Sequence, residues 1–177
     1  RNPVERLFDE AMSDFVDLDD AEAERLTAAQ LKARTAFLGE VMIGHLRYGT
    51  YGGTSSGLCH PMLRRNIVAS RTLALAGNFN MTNAPELFGR LVEYGLHPVG
   101  GSDTQVVLER IGYSLDREHE HLRTTMGPGS FAHLEGRQLA EAIHTEIDLA
   151  RVLRHASNDW DGGYVLVGAI GIGDAFA

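Results

Sequence analysis

A mixed α and β fold is what this 177-residue chain predicts. Three features carry that expectation. Several stretches repeat apolar residues at helical spacing and are bounded by capping residues. A run in the middle, around Leu73 and Leu75, alternates large apolar with small residues, as strands do. Turn signals built from Gly, Pro, Asn and Asp separate the two kinds of segment. Helices are therefore expected on both sides of a strand-bearing middle whose strands read as antiparallel, which composition alone leaves at mixed α and β.

In order along the chain, Asn2-Pro3-Val4-Glu5 opens the first helix. Asn2 can cap it, Pro3 suits the first helical position, and Glu5 stands three residues after the cap. Leu7, Ala11, Phe15 and Leu18 mark its stripe. Asp17, Asp19 and Asp20 read as a solvated turn and a cap for the next helix, with a carboxylate metal site as the weaker alternative, because nothing nearby adds ligands. The second helix is expected from about Ala21 to Phe37, carrying Leu26, Leu31 and Phe37 and stopping near Gly39. Val41-Met42-Ile43 reads as a strand that enters the Gly-rich bend GHLRYGTYGG, Gly44 to Gly53. A polar loop at 54–57 follows.

Cys59-His60 invites a thiol–base reading, but neighbours on an extended chain point to opposite sides, and an internal cysteine lacks a free α-amine. Cys59 is expected to be a packed, structural cysteine. Strand is expected over Asn66–Ser70 and Thr72–Asn78, with Arg71 between them. A short helix from Pro85 to Tyr94 follows, with Asn83 as cap, Gly95 as stop, and Leu87, Leu91 and Tyr94 as its apolar face. Ser102 or Asp103 opens another helix, buried through Val106, Val107, Leu108 and Ile111. His119-Glu120-His121 reads as a solvated face, since an HxH pair here lacks metal partners at helical spacing. Met126 to Gly129 is a turn. Glu135 to Arg154 is expected as one long amphipathic helix, with Leu139, Ala142, Ile143, Ile147, Ala150 and Leu153 facing the core. Asp161-Gly162-Gly163 is a hairpin-type turn signal, and Tyr164 to Ile172 a buried strand. Its glycines, Gly168, Gly171 and Gly173, form no dinucleotide fingerprint. The chain shows no internal repeat.

Composition narrows the function classes. A net charge of −8 argues against a nucleic-acid partner, which needs clustered Lys and Arg. The single cysteine rules out an internal disulfide and fits a reducing compartment, read here as cytoplasmic. No apolar run approaches the ~20 residues of a membrane helix, so no membrane partner is expected. No cofactor and no metal is expected for the domain.

Arg47, in the Gly-rich bend, has a planar and permanently charged fork suited to gripping a carboxylate, although a lone arginine can equally pair with a surface acid. Two further stretches, LAGNFNMTN from Leu75 to Asn83 and GSDTQVVL from Gly101 to Leu108, follow it in order. Together the three resemble the glutamine-binding domain of class II glutamine amidotransferases, which are N-terminal-nucleophile (Ntn) hydrolases. Within the class GHLRYGT is most like the GHxRYST motif of amidophosphoribosyltransferases, with Gly49 in the serine position and Tyr48 where relatives that aminate fructose phosphate tend to carry Trp. The resemblance covers roughly Val41 to Ile111.

The resemblance implies a four-layer αββα Ntn-hydrolase sandwich with antiparallel sheets, of which residues 1–177 would be an incomplete glutaminase domain. It implies a nucleophilic cysteine ahead of Arg1, so the chain alone is expected to be inactive, and a phosphoribosyltransferase domain beyond Ala177, in a protein expected to form homo-oligomers. It places Arg47 on the glutamine α-carboxylate, Asp103 on the α-ammonium, and main chain near Thr50 and Ser102 beside them. Asn78 and the N–H of Phe79 would make the oxyanion hole. The implied reaction frees ammonia from glutamine for phosphoribosyl pyrophosphate in purine nucleotide biosynthesis. Gly77-Asn78-Phe79-Asn80 departs from the family's His-Asn-Gly-Asn at two positions. Open alternatives are another class II amidotransferase with a different acceptor and a non-catalytic glutamine-binding domain.

Overall fold

The computed structural model describes residues 3–16, 21, 24–34, 41–46, 56–125, 131, 133–171 and 174–177. They belong to two compact units, Arg1–Met42 and Ile43–Ala177. In the first, α1 spans Pro3–Val16 with Glu5 in its opening turn, and Arg6 and Glu10 pair one turn apart at 3.3 Å. Helix α2 runs over Ala28–Arg34. It starts later than its apolar pattern suggests, because residues 24–26 form a turn and Thr27 makes the cap. Gln30 N–H donates to Thr27 Oγ1 at 3.3 Å, and Thr27 N–H donates to Gln30 Oε1 at 2.9 Å, a reciprocal capping box. Asp17, Asp19 and Asp20 lie outside the described residues.

The second unit is built on a four-stranded antiparallel sheet, β1 (Met62–Arg64), β2 (Leu73–Met81), β3 (Gly162–Ile170) and β4 (Asp174–Phe176), in that spatial order. Helix α3 covers Ala84–Glu93 and α4 covers Asp103–Thr125; α5 (Gly136–Thr145) and α6 (Leu149–Ser157) precede β3. Helix α4 lies across β1 and β2, with α3 and α6 against it. Its buried side, Val106, Val107, Leu108, Ile111 and Leu115, meets Leu73 and Leu75 of β2, both 0% exposed, and Ile170 of β3. Fully burying one such side chain stabilises by about 1.5–3 kcal/mol.

The cross-strand register puts Leu73, Leu75, Gly77, Phe79 and Met81 on the α4 side of β2. The other face carries Leu63, Ala74, Ala76, Val165, Val167 and Ala169 by the same alternation. Of these Val165 is 73% exposed and Leu63 48%. Among the described residues the architecture is α+β, one antiparallel sheet with helices on its core side.

Several boundaries differ from the sequence reading. Val41-Met42-Ile43 is irregular rather than strand, and Val41 and Met42 are exposed. Asn66–Ser70 is no strand: Asn66 Oδ1 accepts from Val68 N–H at 2.9 Å and Ala69–Arg71 forms a 3₁₀ turn, a local side-chain bond outcompeting the ladder. The predicted long helix 135–154 is two helices. Asp148 N–H points at Glu118 Oε1 (3.4 Å) while Asp148 Oδ1 caps α6 by accepting from Arg151 N–H (2.9 Å). The break shifts the phase, so Ala150 is exposed and Val152 and Ala156 are buried instead.

The 161–163 signal starts β3 rather than closing a hairpin, and Tyr164, Val165 and Val167 remain exposed. His119, expected in solvent, is 1% exposed because α4 continues under Ser70 and its ring meets the Ser70 carbonyl at 3.2 Å. Tyr94 is exposed and stacks on Tyr113 at 4.7 Å. Gly95, at φ +81°, does end α3, in a Schellman arrangement: Leu96 N–H donates to Leu91 O and Gly95 N–H to Val92 O. The predicted turn at 126–129 lies outside the described residues.

Candidate active site

Strand β2 outruns its neighbour β1, and this creates the site. The last β1 pairing joins Met62 to Leu75, so among the described residues no strand continues the ladder along that edge of β2 past Leu75. The hydrogen bonds Thr82 N–H to Asp161 O and Gly171 N–H to Thr72 O fix which β2 residues bond to the β3 side. They are the even-numbered ones, so Asn78 exchanges its main-chain bonds with Val165, and its side chain leaves the sheet face opposite α4. The N–H groups of Gly77, Phe79 and Met81 then point to the open edge. Gly77 N–H donates to His60 Nδ1 at 3.3 Å, and Met81 N–H to Asp103 Oδ2 at 2.9 Å. Phe79 N–H stands between these two, and among the described residues no acceptor takes it.

The Asp103 carboxylate is held at the first turn of α4, where the helix dipole favours a negative charge. Ser102 is the cap of that helix: its Oγ accepts from Gln105 N–H at 3.3 Å. Asp103 also lines an open cleft of about 690 Å³, walled by Met81, Pro85, Phe88, Pro98 and Val99.

His60 is the residue that sequence reasoning passed over. Its Nδ1 accepts from Gly77, so in the neutral ring Nε2 carries the proton and donates to Thr104 Oγ1 at 2.9 Å. The ring lies 4.5 Å from the His45 ring and 6.3 Å from that of Phe79. His45, Phe79 and Thr104 belong to the three motif stretches, and no local pattern announces a histidine that joins them. Cys59, next to it, is exposed rather than packed. The alternation that turns His60 inward turns Cys59 out.

The structure thus brings together Phe79, Asp103 and the capping Ser102, with Asn78 one residue from Phe79 on the opposite sheet face. Arg47 and Thr50 lie outside the described residues, as do Tyr48 and Gly49. Among the described residues no group of three His, Cys, Asp or Glu side chains could hold a metal. Among them no helix is long and apolar enough to cross a membrane.

Two curated proteins share sequence with this chain. Glutamine--fructose-6-phosphate aminotransferase [isomerizing] of Corynebacterium diphtheriae is 31% identical over 104 residues, 59% of this chain and 16% of that protein. Amidophosphoribosyltransferase of Lacticaseibacillus casei is 36% identical over 77 residues, 44% of this chain and 39% of that protein. The chain therefore spans well under two thirds of either. No protein-family model matches the chain, and no solved structure matches it. The two similarities suggest a glutamine amidotransferase-type domain.

Proposed function

We propose that Ile43–Ala177 is the glutamine-binding part of a class II glutamine amidotransferase of the Ntn-hydrolase type, in an amidophosphoribosyltransferase-like protein. The observation that carries this reading is the Phe79 N–H on the open edge of β2, without an acceptor among the described residues and set between the His60 and Asp103 bonds. An aligned donor at that place is what a developing oxyanion needs, and each such donor contributes about 3 kcal/mol to the transition state. The Asn78 side-chain amide is the second donor. Asp103 holds the substrate α-ammonium and Arg47 its α-carboxylate, with main chain near Thr50 and Ser102 completing the grip. The nucleophile is a cysteine other than Cys59, and the exposed apolar face of the sheet fits a second sheet of a four-layer sandwich. Ammonia would pass to phosphoribosyl pyrophosphate. Tyr48 favours that acceptor, whereas the longer similarity to the fructose-6-phosphate aminotransferase favours a hexose phosphate.

The test is steady-state ammonia release from glutamine by the full-length protein, with synthesis from free ammonia measured beside it for both acceptors. Arg47→Ala should raise the KM for glutamine by about two orders of magnitude or more, since an unpaired buried carboxylate costs about 2–5 kcal/mol, and leave ammonia-dependent synthesis intact. Equal loss of both activities would assign Arg47 to folding. Absence of glutamine turnover in the wild-type protein would favour a binding domain without catalysis.

A further inference from the structure

The three motif stretches meet at one imidazole. His60 accepts the Gly77 N–H at 3.3 Å on the open edge of β2 and reaches the buried Thr104 hydroxyl at 2.9 Å in the first turn of α4. Its ring also faces Phe79 and His45. We infer that His60 is a positioning residue: it spans the gap left where β1 stops and fixes the Gly77–Phe79 segment of β2 against the start of α4. This inference rests on the glutaminase reading given above.

Among the described residues no strand pairs with the β1 edge of β2 past Leu75, and the partners its peptides take there are side chains, His60 and Asp103. His60 holds the peptide two residues before Phe79, and Asp103 holds the one two residues after it. The Phe79 N–H is thereby clamped from both sides, and both clamps are anchored in the first turn of α4, through Thr104 and through Asp103 itself. Asp103 also carries substrate charge in this reading, whereas the role inferred for His60 is its two bonds, to the Gly77 N–H of the strand and to the Thr104 hydroxyl of the helix. A shift of the Gly77 end would misalign the N–H from an oxyanion without altering the grip on the amino-acid end of glutamine.

The experiment uses the full-length protein and reads kcat and KM for ammonia release together with amide hydrogen exchange. In His60→Ala the Gly77 amide should exchange about tenfold or more faster while Leu75 stays unchanged. The kcat should fall about 10–100-fold with KM for glutamine within about threefold, the signature of a donor misaligned in the transition state. His60→Gln should restore kcat to within about fivefold of wild type, because Oε1 can accept from Gly77 and Nε2 can donate to Thr104. Thr104→Val, which removes only the helix anchor, should lower kcat in the same direction, and it stands in if His60→Ala fails to fold. Unchanged Gly77 exchange in these variants overturns the inference, as does a rise in KM at constant kcat or failure of His60→Gln to restore kcat. A wild-type protein that releases no ammonia would instead remove the glutaminase reading, and Gly77 exchange would still decide whether His60 holds the strand.

Discussion

Gly77 and Phe79 constrain each other. They sit on the same face of β2, two residues apart, and the Phe79 ring folds back over Gly77. A Cβ built on Gly77 would stand 2.7 Å from the Phe79 ring and 2.5 Å from the Val165 carbonyl oxygen. No side chain fits at 77 while the ring is there. The bare glycine at 77 and the ring at 79 therefore fit each other in this strand, a link invisible when each position is read by itself. Phe79 lies within a continuous strand, where extended backbone suits any residue, so the ring imposes no positive φ. Gly77→Ala should destabilise the protein by about 1–3 kcal/mol. In a Phe79→Ala background the penalty should shrink without vanishing, since the Val165 carbonyl remains. Chemical denaturation of the four proteins in this cycle measures the coupling, and strictly additive penalties would show that the two positions are independent.

At the scale of elements, β1 is only three residues long, and charge keeps it on α4. Arg64 Nε donates to Glu109 Oε2 at 3.1 Å and its Nη2 to Asp116 Oδ2 at 2.6 Å, with all three side chains largely buried. Burial opposes the guanidinium charge, but Asp116 and Glu109 outweigh it and hold the Arg64 pKa above its ordinary value. Removing the arginine leaves two acids in a poorly solvated place. Arg64→Ala should cost about 3 kcal/mol and loosen β1 selectively, because a buried pair broken on one side strands its partner. Denaturant midpoints, with amide exchange in β1, check this; loss below about 0.5 kcal/mol would mean that the acids are hydrated there.

This network, like the break at Asp148, was not legible in the sequence, because Glu109, Asp116 and Glu118 look like ordinary polar residues of a helical surface. What was legible is what local chemistry fixes: the cap at Ser102, the stop at Gly95, and the burial of Leu87 and Leu91 in α3 and of Val106, Val107, Leu108 and Ile111 in α4. Asp103 was legible as a helix-start carboxylate. The Phe79 edge was not, since it depends on where β1 ends.

On the scale of the whole molecule, buried polar groups mark where the sequence pattern misleads. His119 lies beneath Ser70, with Arg71, Asp116 and His144 around it. Burial is the main cause that lowers its pKa below the ordinary value; the Ser70 carbonyl opposes this, and Arg71 adds to it. The folded protein thus resists a proton that the unfolded chain takes up near pH 6.5. With the unfolded state binding more protons, stability contributed by neutral His119 is full above about pH 6.5 and is lost as pH falls toward the lower folded value. A His119→Gln variant should flatten that part of the stability profile, read as Tm against pH between about 5 and 7. A parallel decline in both proteins would place the sensitivity elsewhere. The exposed apolar sheet face belongs to the same scale: Val165, expected within a buried strand, is 73% exposed, and Leu63 on the same face is 48% exposed.

In the proposed function β2 presents an oxyanion hole to glutamine. The most direct measurement is the kcat and KM for ammonia release by the full-length Asn78→Ala protein, beside wild type. The kcat should fall about 10²–10³-fold with KM for glutamine nearly unchanged, because in the proposed role the amide bonds only the charge that develops in the transition state. Unchanged kcat, or a loss confined to KM, would contradict it.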